Sequence, residues 1–218
     1  MSPSDSEASS TEAHDRRRRR MVERQLRRRG IDDERVLTAM AEVPREKFVP
    51  REMSDRAYAD GALPIGEDQT ISQPWIVARM VVLLELEGPE RVLEVGTGSG
   101  YGAAVLSRCC SHVVTVERIP ALSERARGAL AGLGYRNVEV RTGNGAAGAA
   151  DRAPFDAIVV TAAAGKGPPE ALSEQLVPGG ALVCPVEREG DERLVRIRDG
   201  QVEHIAAVRF VPLVEGGP

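Results

Sequence analysis

Val92-Leu93-Glu94-Val95-Gly96-Thr97-Gly98-Ser99-Gly100 is the stretch on which the reading of this chain turns. An apolar strand runs into three glycines at alternate positions, and a helical pattern follows. That is the first strand-to-helix turn of an open α/β sheet, where ligands sit beyond the carboxyl ends of the strands. Glycine lets the backbone bend sharply and approach a ligand without interference from a Cβ. Working outward, 91–95 reads as a buried strand, 100–109 as a helix, 112–117 as a strand, 120–133 as a helix and 138–141 as a strand. Residues 155–161 form the next strand, 168–176 a helix, and 181–186 a strand after a Pro178-Gly179-Gly180 turn. Residues 193–198 and 201–210 read as a hairpin across Asp199-Gly200. Strands alternating with helices mean a mostly parallel α/β sheet, here finished by an antiparallel hairpin.

Upstream of the sheet the pattern is helical. Residues 16–29 have helical spacing and stop at Gly30, and Asp32 caps a second helix with Val36, Leu37, Met40 and Val43 on its apolar face. Pro44 ends it. Residues 45–73 carry no clean period and are punctuated by Pro50, Gly61, Pro64 and Gly66, the mark of a functional or unstructured stretch. Pro74 opens a helix to about Leu86, with Ser72 or Gln73 as its cap. Residues 1–15 are polar and read as a disordered tail. The expected organisation is that tail and a single domain over 16–218, with an N-terminal segment at 16–87 and an α/β core at 88–218.

Composition narrows the function classes. With 218 residues and a net charge of −4, the chain has the size of one domain with short appendages. Its longest apolar candidate, 76–86, is interrupted by Arg79 and Glu85 and is too short to span a bilayer. Residues 1–12 lack a signal core. Cys109, Cys110 and Cys184 make an odd count with one adjacent pair, which suits neither a disulfide framework nor a metal site. A reducing cytoplasm is the expected compartment. Residues 1–30 carry a net +4 and the rest −8, and only seven Phe, Trp and Tyr are present. An acidic body with so few stacking rings argues against a nucleic-acid groove. The run from Arg16 to Arg20 reads as the start of a solvated helix rather than a basic arm.

Two cofactor readings compete for the glycine loop. A dinucleotide loop needs Gly-x-Gly-x-x-Gly, and here the third glycine is replaced by Tyr101. The observed Glu-x-Gly-x-Gly-x-Gly instead resembles the loop of class I S-adenosylmethionine (AdoMet) methyltransferases, which approaches the amino-acid end of a cofactor without a pyrophosphate. A turn with no ligand is the remaining alternative. Glu117 ends the second strand 17 residues after Gly100, where an acid accepts both ribose hydroxyls; otherwise it is an acid near the start of the next helix. Gly143-Asn144-Gly145 follows the third strand and is placed to meet an adenine edge.

From about Met21 to Leu213 the chain resembles the protein-L-isoaspartate O-methyltransferases. The resemblance is carried by Met21-Val22-Glu23-Arg24-Gln25-Leu26, Val43-Pro44-Arg45, Phe48-Val49-Pro50 and above all Gln69-Thr70-Ile71-Ser72-Gln73-Pro74. Further matches are Thr161-Ala162-Ala163-Ala164, Leu176-Val177-Pro178-Gly179-Gly180 and Arg209-Phe210-Val211-Pro212-Leu213. It implies a Rossmann-like class I methyltransferase sheet with its last two strands exchanged. The implied activity is methylation by AdoMet of the free α-carboxylate of L-isoaspartyl residues in damaged proteins and peptides. S-adenosyl-L-homocysteine is the product, and the ester collapses to a succinimide that returns partly to aspartate. A monomer is expected, with no nucleic acid, membrane or metal involved.

By the same resemblance Ser72 carries the active-site hydroxyl and, with Val211, meets the substrate. The cofactor set is Thr70, Ile71, Glu94, Gly96, Thr97, Gly98, Ser99, Gly100, Glu117, Asn144 and Gly145. The nucleophile would be the substrate's own carboxylate, ionised at pH 7 because its pKa is about 3–4. No Cys, Lys or His is then needed as nucleophile or base, and His14, His112 and His204 have no catalytic spacing. The chain departs from the family pattern at Asn144 (usually Asp), Val214 (usually Thr), Gly102 (commonly Gln) and Gly165-Lys166-Gly167. These departures keep two rivals in view: a same-fold methyltransferase for another peptide carboxylate or small metabolite, and a cofactor-binding homologue without turnover.

Overall fold

The computed structural model describes residues 3–188, 190–214 and 216, with side chains from residue 11 onward. Helix α1 (Pro3–Met21) continues through a π turn at Val22–Leu26 and a 3-10 turn at Arg27–Arg29, and stops at Gly30 with φ +82°. The segment expected to be a disordered tail is therefore helical from Pro3. Acids toward its start and arginines in its last turns complement the helix dipole, a contribution the low hydrophobicity concealed. Its end is fastened by Arg17 on Asp55 at 2.7 Å and by the His14 ring against Tyr58. Helix α2 (Glu34–Glu42) is capped by Asp33 rather than Asp32, because the Asp33 side chain is the one that accepts from the Val36 N–H, at 3.1 Å. Val36, Leu37, Met40 and Val43 are buried as expected.

The stretch 45–73 has structure that its aperiodic sequence hides. Two 3-10 turns, Arg45–Lys47 and Arg51–Arg56, lead to a small hairpin of β1 (Leu63–Gly66) and β2 (Gln69–Ile71). Strands of four and three residues are too short to show alternation. Helix α3 (Pro74–Leu83) follows.

The core then alternates β3 (Arg91–Val95), α4 (Tyr101–Leu106), β4 (His112–Glu117), α5 (Pro120–Gly132), β5 (Val138–Thr142), β6 (Phe155–Val160) and α6 (Glu170–Ser173). It closes with β7 (Leu176–Arg188), β8 (Asp191–Arg198) and β9 (Gln201–Val208). The sheet order is β5-β4-β3-β6-β7-β8-β9, parallel through β7 and antiparallel beyond it. The final hairpin thus extends the edge in chain order, as the exchanged arrangement implies. β3 is buried on both faces from Val92 to Val95, which suits its apolar Val92, Leu93 and Val95 and encloses Glu94 between them.

Two sequence readings change here. The helix expected over 168–176 contracts to α6, and Pro178-Gly179-Gly180 is not a turn before the strand but an irregularity inside β7. Its register against β6 jumps from Phe155↔Leu176 to Ala157↔Ala181. A Cβ at Gly180 would lie 2.9 Å from the Asp156 carbonyl oxygen, so only glycine lets the bulge sit on β6. The topology also fixes where a ligand can enter. The chain leaves β3 toward β4 on one side and returns to β6 on the other, opening a crevice at their carboxyl ends.

Candidate active site

A cleft of about 930 Å³, open to solvent, occupies that crevice. Thr70, Ile71, Ser72, Glu94, Gly96, Thr97, Gly98, Ser99, Glu117, Gly145 and Val211 all line it, so most of the residues singled out in the sequence meet in one place. Gly100 and Asn144 are not among its lining residues. Gly100 is the N-cap of α4, and a Cβ there would press on Ala126 at 3.2 Å and Leu130 at 3.3 Å; it lets α4 lie against α5. Asn144 spends its side-chain oxygen on the Ala146 N–H at 3.0 Å, capping the 3-10 turn Gly145–Ala147. The oxygen expected at an adenine edge is therefore engaged in the turn.

The glycine loop is held from two sides. At Gly96, with φ +95°, a Cβ would overlap the Thr161 hydroxyl, which donates to the Gly96 carbonyl at 2.7 Å. Thr161 also lines the cleft, and it was missing from the sequence-derived site set. Its signal was position: it follows β6, the strand beside β3 across the crevice. On the other side, the Gly98 N–H donates to Glu117 Oε2 at 2.8 Å and the Ile119 N–H to Oε1 at 2.9 Å. Glu117 is thus a buried carboxylate fixed by two backbone donors, and each oxygen retains a lone pair for a hydroxyl.

Glu94 is 1% exposed. Its Oε2 accepts from the Thr115 hydroxyl at 2.6 Å, and Thr115 is bonded in turn to Thr97 Oγ1 at 2.6 Å. Thr97 therefore turns its hydroxyl into this network. Burial pushes the Glu94 carboxyl up to about 8; the Thr115 bond opposes the shift and the negative charge of Glu117 adds to it. Gly102 explains how the acid is housed, because a Cβ there would overlap Glu94 Oε1.

The burial of Glu94 has a stability consequence with a definite sign. Between about pH 4.3, where the unfolded chain releases this proton, and about pH 8, the folded chain still holds it. Stability from this group therefore falls as pH rises through that window and levels off above it. Glu94→Gln is expected to be more stable than the parent by about 1–3 kcal/mol at pH 8 and little different near pH 4. Denaturant midpoints at the two pH values check this; a loss at pH 8 would contradict it.

Ser72 lies between β2 and α3. The N-cap position belongs to Gln73, which makes no side-chain cap bond, so the capping alternative does not describe Ser72. Its hydroxyl has no hydrogen-bond partner among the described residues. Opposite, Val211 and Leu213 exchange backbone bonds with Ala163 at 2.8 and 2.7 Å, which holds the segment carrying Val214 against the cleft. Among the described residues, no cluster of His, Cys, Asp or Glu could hold a metal ion, and no helix is long and apolar enough to cross a membrane.

Comparison with known proteins places this geometry among others. Residues 16–217 match the family model described as protein-L-isoaspartate(D-aspartate) O-methyltransferase. Protein-L-isoaspartate O-methyltransferase 1 of Rhodopseudomonas palustris (strain HaA2) is 53% identical over 203 residues, covering 90% of this chain and 82% of the relative. A solved protein-L-isoaspartate O-methyltransferase superposes with a TM-score of 0.77 at 30% identity over 89% of this chain, which spans 65% of that protein. A crystal structure from Plasmodium falciparum, described as a beta-aspartate methyltransferase in complex with S-adenosyl-L-homocysteine, gives a TM-score of 0.77 at 26% identity. That match covers 91% of this chain and 99% of the other.

Proposed function

This chain belongs to the protein-L-isoaspartate(D-aspartate) O-methyltransferase family, and from that premise we propose how its cleft works as a protein-repair enzyme. It transfers a methyl group from AdoMet to the free α-carboxylate of L-isoaspartyl residues in damaged proteins and peptides, releasing S-adenosyl-L-homocysteine. The ester closes to a succinimide, and hydrolysis returns part of the chain to normal aspartate. The observation that carries this reading is the meeting of the Glu94-to-Ser99 loop, Glu117 and the Gln69-to-Ser72 segment in one cleft.

The residues present fit the cofactor. The glycines clear space for backbone to approach it, and Glu117 offers lone pairs to the ribose hydroxyls. Gly145 would border the base, with Asn144 next to it in the chain as the cap of its turn, while Thr70, Ile71, Thr97 and Ser99 would form the remaining edges and Glu94 would close the floor. When bound, AdoMet supplies an electrophilic methyl on a sulfonium. The Ser72 hydroxyl donates to the substrate carboxylate and aims its oxygen; alignment of this kind can contribute up to about 7–11 kcal/mol. No protein base is required, since the carboxylate is already ionised. Val211 and the backbone beside it flank the peptide as an extended strand, a mode that reads main chain rather than sequence.

Glu117→Ala is expected to weaken AdoMet and S-adenosyl-L-homocysteine binding alike, by about 10- to 150-fold, because both carry the same ribose. Calorimetry with each ligand checks this, and unaltered affinities would remove Glu117 from the ribose site.

The working domain is 16–218, supported by the span of the family match. A monomer in a reducing cytoplasm is supported by three free, buried cysteines and by Val202 and Val214 being the exposed large apolar side chains among the described residues. Labelled AdoMet offered to an isoaspartyl peptide, an undamaged peptide and small carboxylic acids tests the substrate class. Label is expected on the isoaspartyl peptide; label on the small acids instead would favour a metabolite methyltransferase.

A further inference from the structure

We propose that Arg45 is a positioning residue for Ser72: a guanidinium sealed from solvent that holds the Ser72 main chain and sets the direction of its hydroxyl. This rests on the role given to Ser72 above. Arg45 is 0% exposed. Its Nη2 donates to the Ser72 carbonyl at 2.7 Å and its Nε to the Ala57 carbonyl at 2.7 Å, while its Cζ lies 4.8 Å from the Tyr101 ring centroid. One side chain thus joins a 3-10 turn, the loop before β1, the residue directly after β2 and the first residue of α4. Ser72 and Tyr101 both line the cleft.

The connection from β2 to α3 needs such an anchor. The β1–β2 hairpin forms a sheet of its own, apart from the seven-stranded one, so that sheet's ladder does not hold Ser72. The choice of residue is also informative. Nη1 of Arg45 is buried without a hydrogen-bond partner, and among the described residues the groups that act electrostatically on the guanidinium are the Tyr101 and Tyr58 hydroxyls, not a carboxylate. A buried, unpaired cation is costly, whereas a neutral amide could bridge two carbonyls without that penalty. What the guanidinium offers and an amide lacks is a planar fork that reaches the Ser72 and Ala57 carbonyls from one side chain while lying on the Tyr101 ring. The Val43-Pro44-Arg45 motif thereby gains a function the rest of the mechanism does not assign.

The test is a double-mutant cycle with an isoaspartyl peptide. R45M and R45K are measured alone and with Ser72→Ala, alongside S-adenosyl-L-homocysteine affinity by calorimetry. R45M is expected to lower kcat by about 10- to 100-fold and R45K by about 3- to 10-fold, with product affinity changed by less than about threefold. In the Ser72→Ala background each should cost less than about twofold, because the group being positioned is gone. Full multiplication of the two losses, or a parent-like kcat for R45M, would overturn the proposal. A Ser72→Ala variant with unchanged kcat would refute the role of Ser72 itself, and the Arg45 proposal with it. If R45M fails to fold by circular dichroism, R45K carries the cycle, since it keeps the charge and one donor.

Discussion

Gly96→Ala is expected to weaken S-adenosyl-L-homocysteine binding by about 30-fold or more while the chain still folds. Two costs coincide at this residue. Its φ of +95° lies where an alanine is strained, at about 1–3 kcal/mol. The new methyl would also overlap the Thr161 hydroxyl, breaking that residue's bonds to the Val95 and Gly96 carbonyls at 3.1 and 2.7 Å. Overpacking adds about 1–3 kcal/mol. The loop can relieve both only by shifting, and a shift disturbs the Gly98 N–H bond to Glu117. Gly134→Ala is the control, because Gly134 has φ +79° with nothing within 4 Å of a Cβ and lies outside the cleft. It should cost stability and leave affinity alone. Calorimetry of both variants decides; an affinity for Gly96→Ala within twofold of the parent would contradict the reading of the loop.

Ser72→Ala is expected to lower kcat by roughly 10- to 150-fold. The loss corresponds to one hydrogen bond to a charged group, about 1.5–3 kcal/mol, at tenfold per 1.36 kcal/mol. The variant is clean. The Ser72 side chain caps no helix, so stability should stay within about 0.5 kcal/mol of the parent. Steady-state rates with denaturation midpoints separate the two effects. An unchanged kcat would take Ser72 out of the reaction.

What could be read in advance follows from where the information lies along the chain. β3 and β4 were bounded to the residue because their apolar runs end at a glycine loop and at an acid. The Asp199-Gly200 turn was legible because both residues take the positive φ, +48° and +76°, that such a hairpin requires. Other features depend on contacts between distant segments. The β1–β2 hairpin is too short to show a period, and the bulge in β7 exists only against β6. Thr161 and Arg45 appeared in quoted motifs but gained roles only from their partners, since an arginine is ordinarily read as exposed. Asn144 shows the converse. Its position by the third strand was read correctly, yet local geometry gave its oxygen to the Ala146 N–H. Glu94 was recognisable as the acid of the loop, while its raised pKa comes from the depth of its burial and the space left by Gly102.

The most direct measurement is kcat/KM, with AdoMet saturating, for a peptide carrying one L-isoaspartyl residue and for its twin carrying aspartate at the same position. The two differ only in which carboxylate is free beside the main chain. A site that aims the α-carboxylate through Ser72 predicts ester formation on the isoaspartyl peptide with a preference of at least about 100-fold. Equal rates for the twins, or no methylation of either, would contradict it.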